Sequence, residues 1–425
     1  MPSLIDPKTI AVAVFIGVYL LIMLGLRELT VASLAGVALV LLTGILTWGE
    51  AISFIDFNVL GMLIGVMIMI RMLSDLGFFR WLGIHMANLV RCDPMRMMLL
   101  FMCATLVLSS FTIANVVTVL LMAVVMIEIA EVLELDPRPF VIGLIFASNI
   151  GGMATSISSL PDILVALAFD ISFWDFAVHM WPIVLLNILM LVFLFAVVRK
   201  EEIASVRPKY RRIPIDPSEV IREKPLLVLL LALFTFMIAG LILSPIIRMP
   251  PGAIALITSA VALLVAGHRV GPVVREVDWE TLISISCLLV LVGSLEKTGA
   301  IHDLAQAVMA VDGGQAVSLM LVFWSSALVS CFVDNVPFTI ALISVLKDLM
   351  VSGVDVGPLI WALVAGAGIG GNGTVVASYA NIVVVGETTK RGYHIDPRAF
   401  AKIGIPFVLL SAALTSGLLL AIYGL

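Results

Sequence analysis

Long apolar runs separated by short polar stretches occupy most of the chain, from residue 10 to residue 423. A helix needs about 20 apolar residues to cross roughly 30 Å of hydrocarbon. Eight of the runs are regular enough to predict full membrane-spanning helices. They cover residues 9–26, 30–48, 57–77, 180–198, 225–243, 252–267, 279–297 and 403–423.

Four further apolar stretches are less regular and predict other shapes. Residues 95–134 and 315–350 each consist of two apolar arms around a polar middle, which favours a re-entrant hairpin. Residues 139–170 and 358–389 are interrupted by glycines, which favours a broken helix. With the full spans, these segments predict about ten transmembrane helices, two re-entrant hairpins and two broken helices.

The longest polar stretch, residues 199–224, carries eight Lys or Arg residues and divides the chain near its middle. We predict a first repeat at 1–198 and a second repeat at 225–425. Basic residues concentrate in the cytoplasmic loops of membrane proteins. We therefore expect a multi-pass protein of the inner (cytoplasmic) membrane, with the linker in the cytoplasm and both termini in the periplasm.

The two halves share landmarks in the same order. Asp56 opens one predicted span, and Asp278 opens another 222 positions later. The segment Ile-Gly-Gly-Met-Ala-Thr at 150–155 returns as Ile-Gly-Gly-Asn-Gly-Thr at 369–374, shifted by 219. Under the predicted orientation, matching spans run in opposite directions, as in many secondary transporters. The sequence thus predicts an all-α polytopic membrane protein of two inverted-topology repeats.

The irregular segments are the expected substrate site, because non-helical backbone at membrane depth is tolerated only inside protein or along a cavity. We expect breaks at 149–159 and 368–378, facing hairpin tips at 109–118 and 330–339. Glycine and Ser/Thr also serve plain helix packing in membranes, whereas buried amides at matched positions favour a binding role. The predicted substrate-binding residues are Asn115, Asn149, Gly151, Gly152, Thr155, Asn335, Asn372, Gly373, Thr374 and Asn381.

Two carboxylates are candidates for proton coupling. Asp334 lies within the second hairpin, and an ionisable group inside a membrane segment is a functional hypothesis by default. A structural acid bound to the hairpin tip is the alternative. Asp162 follows the first break and pairs by the 219 shift with Asn381. We predict that Asp334 and Asp162 exchange protons.

Composition excludes several classes of function. Only 12% of the residues are charged and 62% are hydrophobic, with a mean hydropathy of +1.19 and a net charge of −5. The chain has no basic stripe for nucleic acid and no phosphate-binding loop, catalytic triad or metal-ligand spacing. Its four cysteines form no disulfide framework. We expect no enzyme activity, no cofactor, no metal and no nucleic-acid partner.

Three motifs resemble the ion transporter superfamily that includes ArsB-type arsenite permeases, NhaD-type sodium/proton antiporters and the melanosomal P protein. They are Ser-Asn-Ile-Gly-Gly-x-Ala-Thr at 148–155, Asp-Asn-Val-Pro-Phe-Thr at 334–339, and Gly-Gly-Asn-Gly-Thr at 370–374 followed by Ala-Asn-Ile-Val-Val at 380–384. The resemblance covers roughly residues 50–395. It implies the same two hairpins and two broken helices, in a fold that is often dimeric.

The ArsB-type branch exports arsenite and antimonite, coupled to the proton gradient. The chain departs from the family pattern at Ala114 and at 159–162, where relatives often carry Asp and Asp-Pro-Pro-Asn. Loss of a central carboxylate favours a neutral solute such as As(OH)3 over sodium. The resemblance therefore implies a proton-coupled arsenite/antimonite efflux permease. A sodium/proton antiporter and an anion or dicarboxylate permease stay as alternatives, and a homodimer and a soluble ATPase partner stay open.

Overall fold

The computed structural model describes residues 6–23, 27–111, 115–198, 209–214, 216–267, 270–303, 314–332 and 335–423. Within these ranges the secondary structure is helical throughout, without a strand. Seven of the described helices are long and apolar enough to cross a membrane, and six shorter apolar helices accompany them. The all-α polytopic membrane fold predicted from the sequence is confirmed.

Ten helices form the first half. They are α1 (Pro7–Met23), α2 (Leu29–Leu42), α3 (Trp48–Ser53), α4 (Phe57–Asp75), α5 (Phe78–Leu89), α6 (Pro94–Phe111), α7 (Asn115–Leu133), α8 (Arg138–Gly151), α9 (Leu160–Ala168) and α10 (Phe173–Phe193), which continues into a π-helical turn at Leu194–Val198.

Nine further helices make up the described part of the second half. They are α11 (Lys224–Ile247), α12 (Pro251–Ala266), α13 (Val270–Arg275), α14 (Trp279–Lys297), α15 (Gly314–Ser330), α16 (Asn335–Val351), α17 (Gly357–Gly370), α18 (Tyr379–Lys390) and α19 (Pro397–Tyr423), with a 3-10 turn at Val375–Ala377 before α18.

The same local signals begin and end the matching helices of the two halves. The Asp56 carboxylate caps α4 by accepting from the backbone N–H of Asn58, and the Asp278 carboxylate caps α14 by accepting from that of Thr281. Gly77 after α4 and Gly299 after α14 both have positive φ, at 85° and 77°, a conformation that favours glycine. The shift of 222 residues therefore describes structure as well as sequence.

Six helices, α1, α2, α4, α11, α12 and α14, form a frame unit in which the halves are interleaved. α4 packs on α12 of the other half, and α14 packs reciprocally on α2. The α4–α12 contact needs glycine, because a Cβ at Gly65 would lie 2.5 Å from the backbone carbonyl carbon of Ala255. Such close backbone approach is typical of membrane helix pairs.

The remaining hairpin and broken-helix elements, α6–α10 and α15–α19, form a core unit. In each half the first hairpin arm packs on the first part of its own broken helix, α6 on α8 and α15 on α17. The second arms cross over, so that α7 packs on α18 and α16 packs on α9. Each hairpin therefore joins the two broken helices, and a cavity described below lies between this unit and the frame.

Several predicted boundaries are wrong, for local reasons. The predicted span 30–48 ends early because Gly44 takes a positive φ of 73°, and a capping box of Thr47 and Glu50 then starts α3. α10 begins at Phe173 rather than at 180, because the Ser172 hydroxyl accepts from the backbone N–H of Asp175. Hydropathy is averaged over a window of many residues, so it does not detect helix caps that depend on one or two side chains.

Candidate functional site

Both broken helices are interrupted deep inside the core unit. The first stops at Gly151 and resumes at Leu160, and the second stops at Gly370 and resumes at Tyr379. All residues of the first break are buried, whereas in the second break Thr374 and Val375 are half-buried and Val376 is exposed. The breaks predicted at 149–159 and 368–378 are thus present, each beginning two to three residues later than predicted.

A cavity of about 60 Å3 lies where the two hairpin tips approach the two breaks. Its walls contain repeat-matched pairs: Asn115 and Asn335 from the tips, and Ser159 and Ser378 from the breaks. The frame unit contributes residues from α4 and α14. The full described lining is Leu63, Met67, Asn115, Val116, Val117, Ser159, Leu160, Pro161, Asp278, Thr281, Asn335, Val336, Ser378, Tyr379 and Ala380.

Four helices of the core unit direct their N-terminal ends at this cavity. The first turns of α7, α9, α16 and α18 all contribute to its wall. A helix N-terminus carries roughly half a positive charge and unpaired backbone N–H groups. These four helix ends therefore contribute partial positive charge to the cavity, and none of its described lining residues is Lys or Arg.

The only carboxylate in that lining is Asp278, which is engaged with its own helix. Its Oδ1 atom accepts from the Thr281 backbone N–H at 3.0 Å, and its Oδ2 atom accepts from the Thr281 hydroxyl at 2.6 Å. The N-terminus of α14 therefore stabilises the negative charge of Asp278. The frame unit presents a carboxylate and a hydroxyl to the site.

Three of the predicted binding amides bind one another instead of lining the cavity. The Asn149 amide donates to the Gly371 carbonyl at 3.0 Å, to Asn372 Oδ1 at 3.2 Å and to Asn381 Oδ1 at 3.1 Å. The Asn381 amide donates to the carbonyls of Gly371 at 2.7 Å and Thr374 at 3.0 Å. All three side chains are buried. This amide cluster joins the two broken helices.

The pseudosymmetric counterpart of this cluster is apolar. Gly368 corresponds to Asn149 and Met153 to Asn372 by the shift of 219. These two counterparts are also in contact, since a Cβ at Gly368 would lie 2.9 Å from Met153 Cβ. One half of the broken-helix interface is therefore an amide pair, and the other is a methionine packed on a glycine.

Thr155 and Thr374, which were predicted to bind substrate, instead hydrogen-bond a break to a hairpin tip, in the same way in both repeats. Thr155 donates its hydroxyl to the Ser110 carbonyl at 2.6 Å, and Thr374 donates to the Cys331 carbonyl at 2.6 Å. Gly373 provides the close approach, because a Cβ there would lie 2.6 Å from Cys331 Sγ. These contacts are intramolecular, so each threonine hydroxyl already donates its hydrogen to a backbone carbonyl.

The predicted glycines Gly151 and Gly152 also serve close approach. A Cβ at Gly151 would lie 2.4 Å from the Leu106 carbonyl oxygen on α6. A Cβ at Gly152 would lie 3.1 Å from the Asn115 amide nitrogen. Gly152 therefore leaves room for Asn115, one of the two predicted amides that reach the cavity wall.

The buried carboxylate Asp162 lies one hydrogen bond behind that wall. Its Oδ2 atom accepts from the Ser159 hydroxyl at 2.7 Å and the Ser158 hydroxyl at 3.3 Å. Among the described residues no Lys, Arg or His pairs with it. Asp334, the other predicted proton carrier, lies outside the described residues.

Sequence reasoning missed Ser159, Ser378 and the frame pair Asp278 and Thr281 as cavity residues. The spacing Ser159-x-x-Asp162 and Ser378-x-x-Asn381, repeated at 219, could have indicated the two serines. Nothing local marks Asp278 and Thr281, because they reach the site only through packing of the frame against the core. No cluster of three or more potential metal-binding side chains occurs in the described ranges.

Comparison with known proteins gives the family. Residues 19–366 match the family model of the citrate transporter family, CitMHS. The chain belongs to this family. It is accordingly a multi-pass secondary membrane transporter and a transport protein rather than an enzyme.

Relatives extend along nearly the whole chain. An uncharacterized transporter of Mycobacterium tuberculosis is 30% identical over 423 residues, which cover 96% of this chain and 97% of the relative. The 46 kDa membrane protein of Mycobacterium leprae is 30% identical over 422 residues, with the same coverage. The P protein of Mus musculus is 28% identical over 492 residues, covering 95% of this chain and 59% of that protein. The likeness to P protein supports the predicted superfamily, whereas the arsenite branch stays a prediction.

A solved structure shares the fold. The YdaH transporter of Alcanivorax borkumensis superposes with a TM-score of 0.57 at 16% identity, covering 85% of both chains. At this identity the likeness concerns the fold alone. It extends over both halves of the citrate transporter family member described here.

Proposed function

We propose that the cavity binds a small carboxylate-bearing anion, which the protein carries across the membrane by alternating access. The observation that supports this is the convergence of four helix N-termini on one cavity. Bare N–H groups at helix N-termini are ready anion sites and are used this way by broken helices in transporters. The family's description as citrate transporters agrees with this chemistry.

Uncharged donors complete the proposed site. Asn115 and Asn335 can each donate two hydrogen bonds to a carboxylate, and the Ser378 hydroxyl lies in the same wall. The hydroxyls of Ser159 and Thr281 already donate to Asp162 and Asp278. A carrier must also release its substrate. Recognition by amides and peptide groups, without a Lys or Arg salt bridge in the described wall, suits that requirement.

Alternating access follows from the position of the cavity between the core unit and the frame unit. Its volume of about 60 Å3 is well below the roughly 300–1,000 Å3 of usual small-molecule sites. A citrate-sized anion therefore requires the two units to separate. The amide cluster joins the two breaks, and the threonine contacts join each break to a hairpin tip. We therefore expect the core unit to move as one body.

We propose proton coupling through Asp162 and Asp334. Asp162 contacts Ser159, a cavity residue, and Asp334 directly precedes Asn335, another cavity residue. A proton taken up with an anion lowers the charge that crosses the hydrocarbon. In this proposal the transporter sits in the inner membrane with the 199–224 linker in the cytoplasm and both termini in the periplasm, as the basic residues indicate.

The arsenite/antimonite efflux function is the second candidate. The small cavity volume and the uncharged lining amides and hydroxyls favour it, because As(OH)3 is a compact neutral solute. The positive helix ends would contribute little to a neutral molecule. The two candidates therefore predict opposite outcomes for a negatively charged substrate.

Transport by the purified full chain in proteoliposomes tests the proposal. We expect proton-gradient-dependent uptake of radiolabelled citrate, and a KM raised about 10-fold or more in Asn115→Ala and Asn335→Ala, since a hydrogen bond to a charged group contributes about 1.5–3 kcal/mol. Asn88→Ala is the control, because the Asn88 side chain accepts from the backbone N–H of Ile213 at 2.7 Å and is not part of the described cavity wall.

Arsenite flux is measured in the same vesicles. Arsenite transport without uptake of citrate or other carboxylates would overturn the anion proposal and favour the second candidate. Carboxylate uptake that is unchanged in both asparagine variants would remove this cavity from the mechanism. Uptake by Asp162→Asn that no longer depends on the proton gradient is the outcome expected for the coupling residue.

A further inference from the structure

A groove runs along one face of α19, on the side of the core unit formed by α8 and α10. It consists of two cavities, of about 630 Å3 and 250 Å3, which share Lys402 and Ile403 in their walls. Along α19 the lining residues recur at helical spacing, from Ala399 through Pro406 to Leu410. At 1.5 Å per residue this stripe extends over roughly 16 Å.

Two irregular helical turns flank the groove. Pro406 lies inside α19, where a proline removes one backbone hydrogen bond and kinks the helix. Opposite, α10 ends in the π-helical turn Leu194–Val198, and Leu194 is part of the groove wall. π-helical turns often occur at functional sites. The two helices are thus kept from closing on one another at this point.

The smaller cavity is apolar and faces outward. Its wall consists of Met190, Phe193 and Leu194 from α10 and of Pro406, Phe407 and Leu410 from α19, apart from the two shared residues. Phe193 and Leu410 are 54% and 52% exposed, whereas Phe407 at the base is 3% exposed. In a membrane-spanning protein such a surface borders lipid acyl chains.

The larger cavity contains all the charged residues of the groove other than the shared Lys402, and it lies where α8 and α19 begin and near the end of α10, so we place it at the membrane surface. Arg138 is neutralised by Asp136, with a guanidinium–carboxylate distance of 2.7 Å. Lys402 has no hydrogen bond or ion pair with any residue in the described ranges. Asp396 uses one oxygen to accept from the Arg398 backbone N–H at 3.0 Å, and its second oxygen has no donor among those residues.

Within the described ranges, this end of the groove therefore offers an unpaired cation, Lys402, and an available carboxylate oxygen, on Asp396, in a single cavity. His394 shares that wall. A group that complements both charges must itself be zwitterionic. Phosphatidylethanolamine has a phosphodiester for Lys402 and a primary ammonium that can donate to Asp396. Phosphatidylcholine has no N–H to donate, and phosphatidylglycerol has no cation.

We propose that this groove is a binding site for phosphatidylethanolamine. The phosphate binds Lys402, the ammonium binds Asp396, and one acyl chain follows the apolar stripe of α19 past Pro406. Basic pockets between transmembrane helices at the membrane surface are known to hold lipid headgroups. Because α8, α10 and α19 all belong to the core unit, the lipid would travel with that unit during transport.

Lipid retention by the purified full chain tests the site. The protein is incubated with equal amounts of phosphatidylethanolamine, phosphatidylglycerol and phosphatidylcholine of identical acyl chains, and bound lipid is counted by native mass spectrometry. We expect phosphatidylethanolamine to be retained about 10-fold over either competitor, which corresponds to about 1.4 kcal/mol. Lys402→Gln and Asp396→Asn should each abolish that preference.

Lys224→Gln is the matched control, since Lys224 is likewise exposed and begins α11 in the frame unit. Ile403→Trp should fill the junction of the two cavities and lower retention of all three lipids. Equal retention of the three lipids by the wild type would overturn the proposal, as would a preference for phosphatidylglycerol. A preference for phosphatidylethanolamine that survives both charge variants would place the lipid elsewhere and overturn it as well.

Discussion

Replacing Asn149 by alanine removes the donor at the centre of the amide cluster. The Asn149 amide has two hydrogens and serves three acceptors: the Gly371 carbonyl and the side-chain oxygens of Asn372 and Asn381, at 3.0, 3.2 and 3.1 Å. The Gly371 carbonyl keeps the amide of Asn381 at 2.7 Å. The two side-chain oxygens have no other donor among the described residues, so the substitution leaves two buried acceptors unsatisfied.

The size of the effect follows from those two acceptors. An unsatisfied buried acceptor costs about 1–3 kcal/mol in soluble proteins, and hydrogen bonds between membrane helices average about 0.6 kcal/mol. We therefore expect Asn149→Ala to lower the free energy of unfolding by about 2 kcal/mol. A double-mutant cycle of Asn149 with Asn381 should give a coupling of about 1 kcal/mol, because the two residues share one network.

Equilibrium unfolding in mixed micelles, followed by circular dichroism, measures both values. Asn187→Ala is the matched control: Asn187 is equally buried, but it donates to Ile183 of its own helix at 2.8 Å and to Thr415 at 3.2 Å, outside the breaks. We expect the control to cost less than about 1 kcal/mol. A cost for Asn149→Ala no larger than that of the control would refute the role given to the cluster.

Two further predictions concern packing and the hairpin contacts. Gly65→Val should lower the unfolding free energy by more than about 2 kcal/mol, because the new Cβ would meet the Ala255 backbone at 2.5 Å. Thermal denaturation in detergent measures this loss. An unchanged midpoint would contradict the packing of α4 on α12. Thr155→Val and Thr374→Val each remove one 2.6 Å hydrogen bond to a hairpin carbonyl, so each should cost about 1 kcal/mol. A large difference between the two threonine variants in the same assay would contradict the equivalence of the two repeats.

The irregular elements were predictable from the sequence because their physical cause is local. A Gly-Gly pair inside an apolar run weakens the helix wherever it occurs, and the pairs at 151–152 and 370–371 both stop their helices. The repetition of these pairs at a constant shift made the inference specific. The break predicted in one repeat could therefore be checked against the matching segment of the other repeat.

The partners of the polar residues could not be predicted in the same way. Asn149 and Asn381 were expected to hydrogen-bond a substrate, and in the structure each hydrogen-bonds across the two breaks. Which of these occurs depends on the distance between the breaks, which is set by the packing of all the core helices. The sequence places an amide in the membrane interior without showing whether another amide lies within 3 Å.

The electrostatic character of the cavity is a similar case. In the sequence, the loss of a central carboxylate at Ala114 and 159–162 favoured a neutral solute. The partial positive charges at the cavity come from backbone N–H groups, and they depend on four helices beginning at the same place. That property belongs to the arrangement of α7, α9, α16 and α18 and has no counterpart in any single motif.

The replacement of an amide pair by Met153 and Gly368 in the other half has an energetic consequence. In a carrier with two identical repeats, the empty protein would occupy its two end states equally, since each would be the mirror of the other. Here the polar pair belongs to one half of the core unit and the apolar pair to the other, so the two end states are not equivalent and we expect their energies to differ. With a difference of only about 1.4 kcal/mol, about nine molecules in ten would have their binding site open to the same compartment.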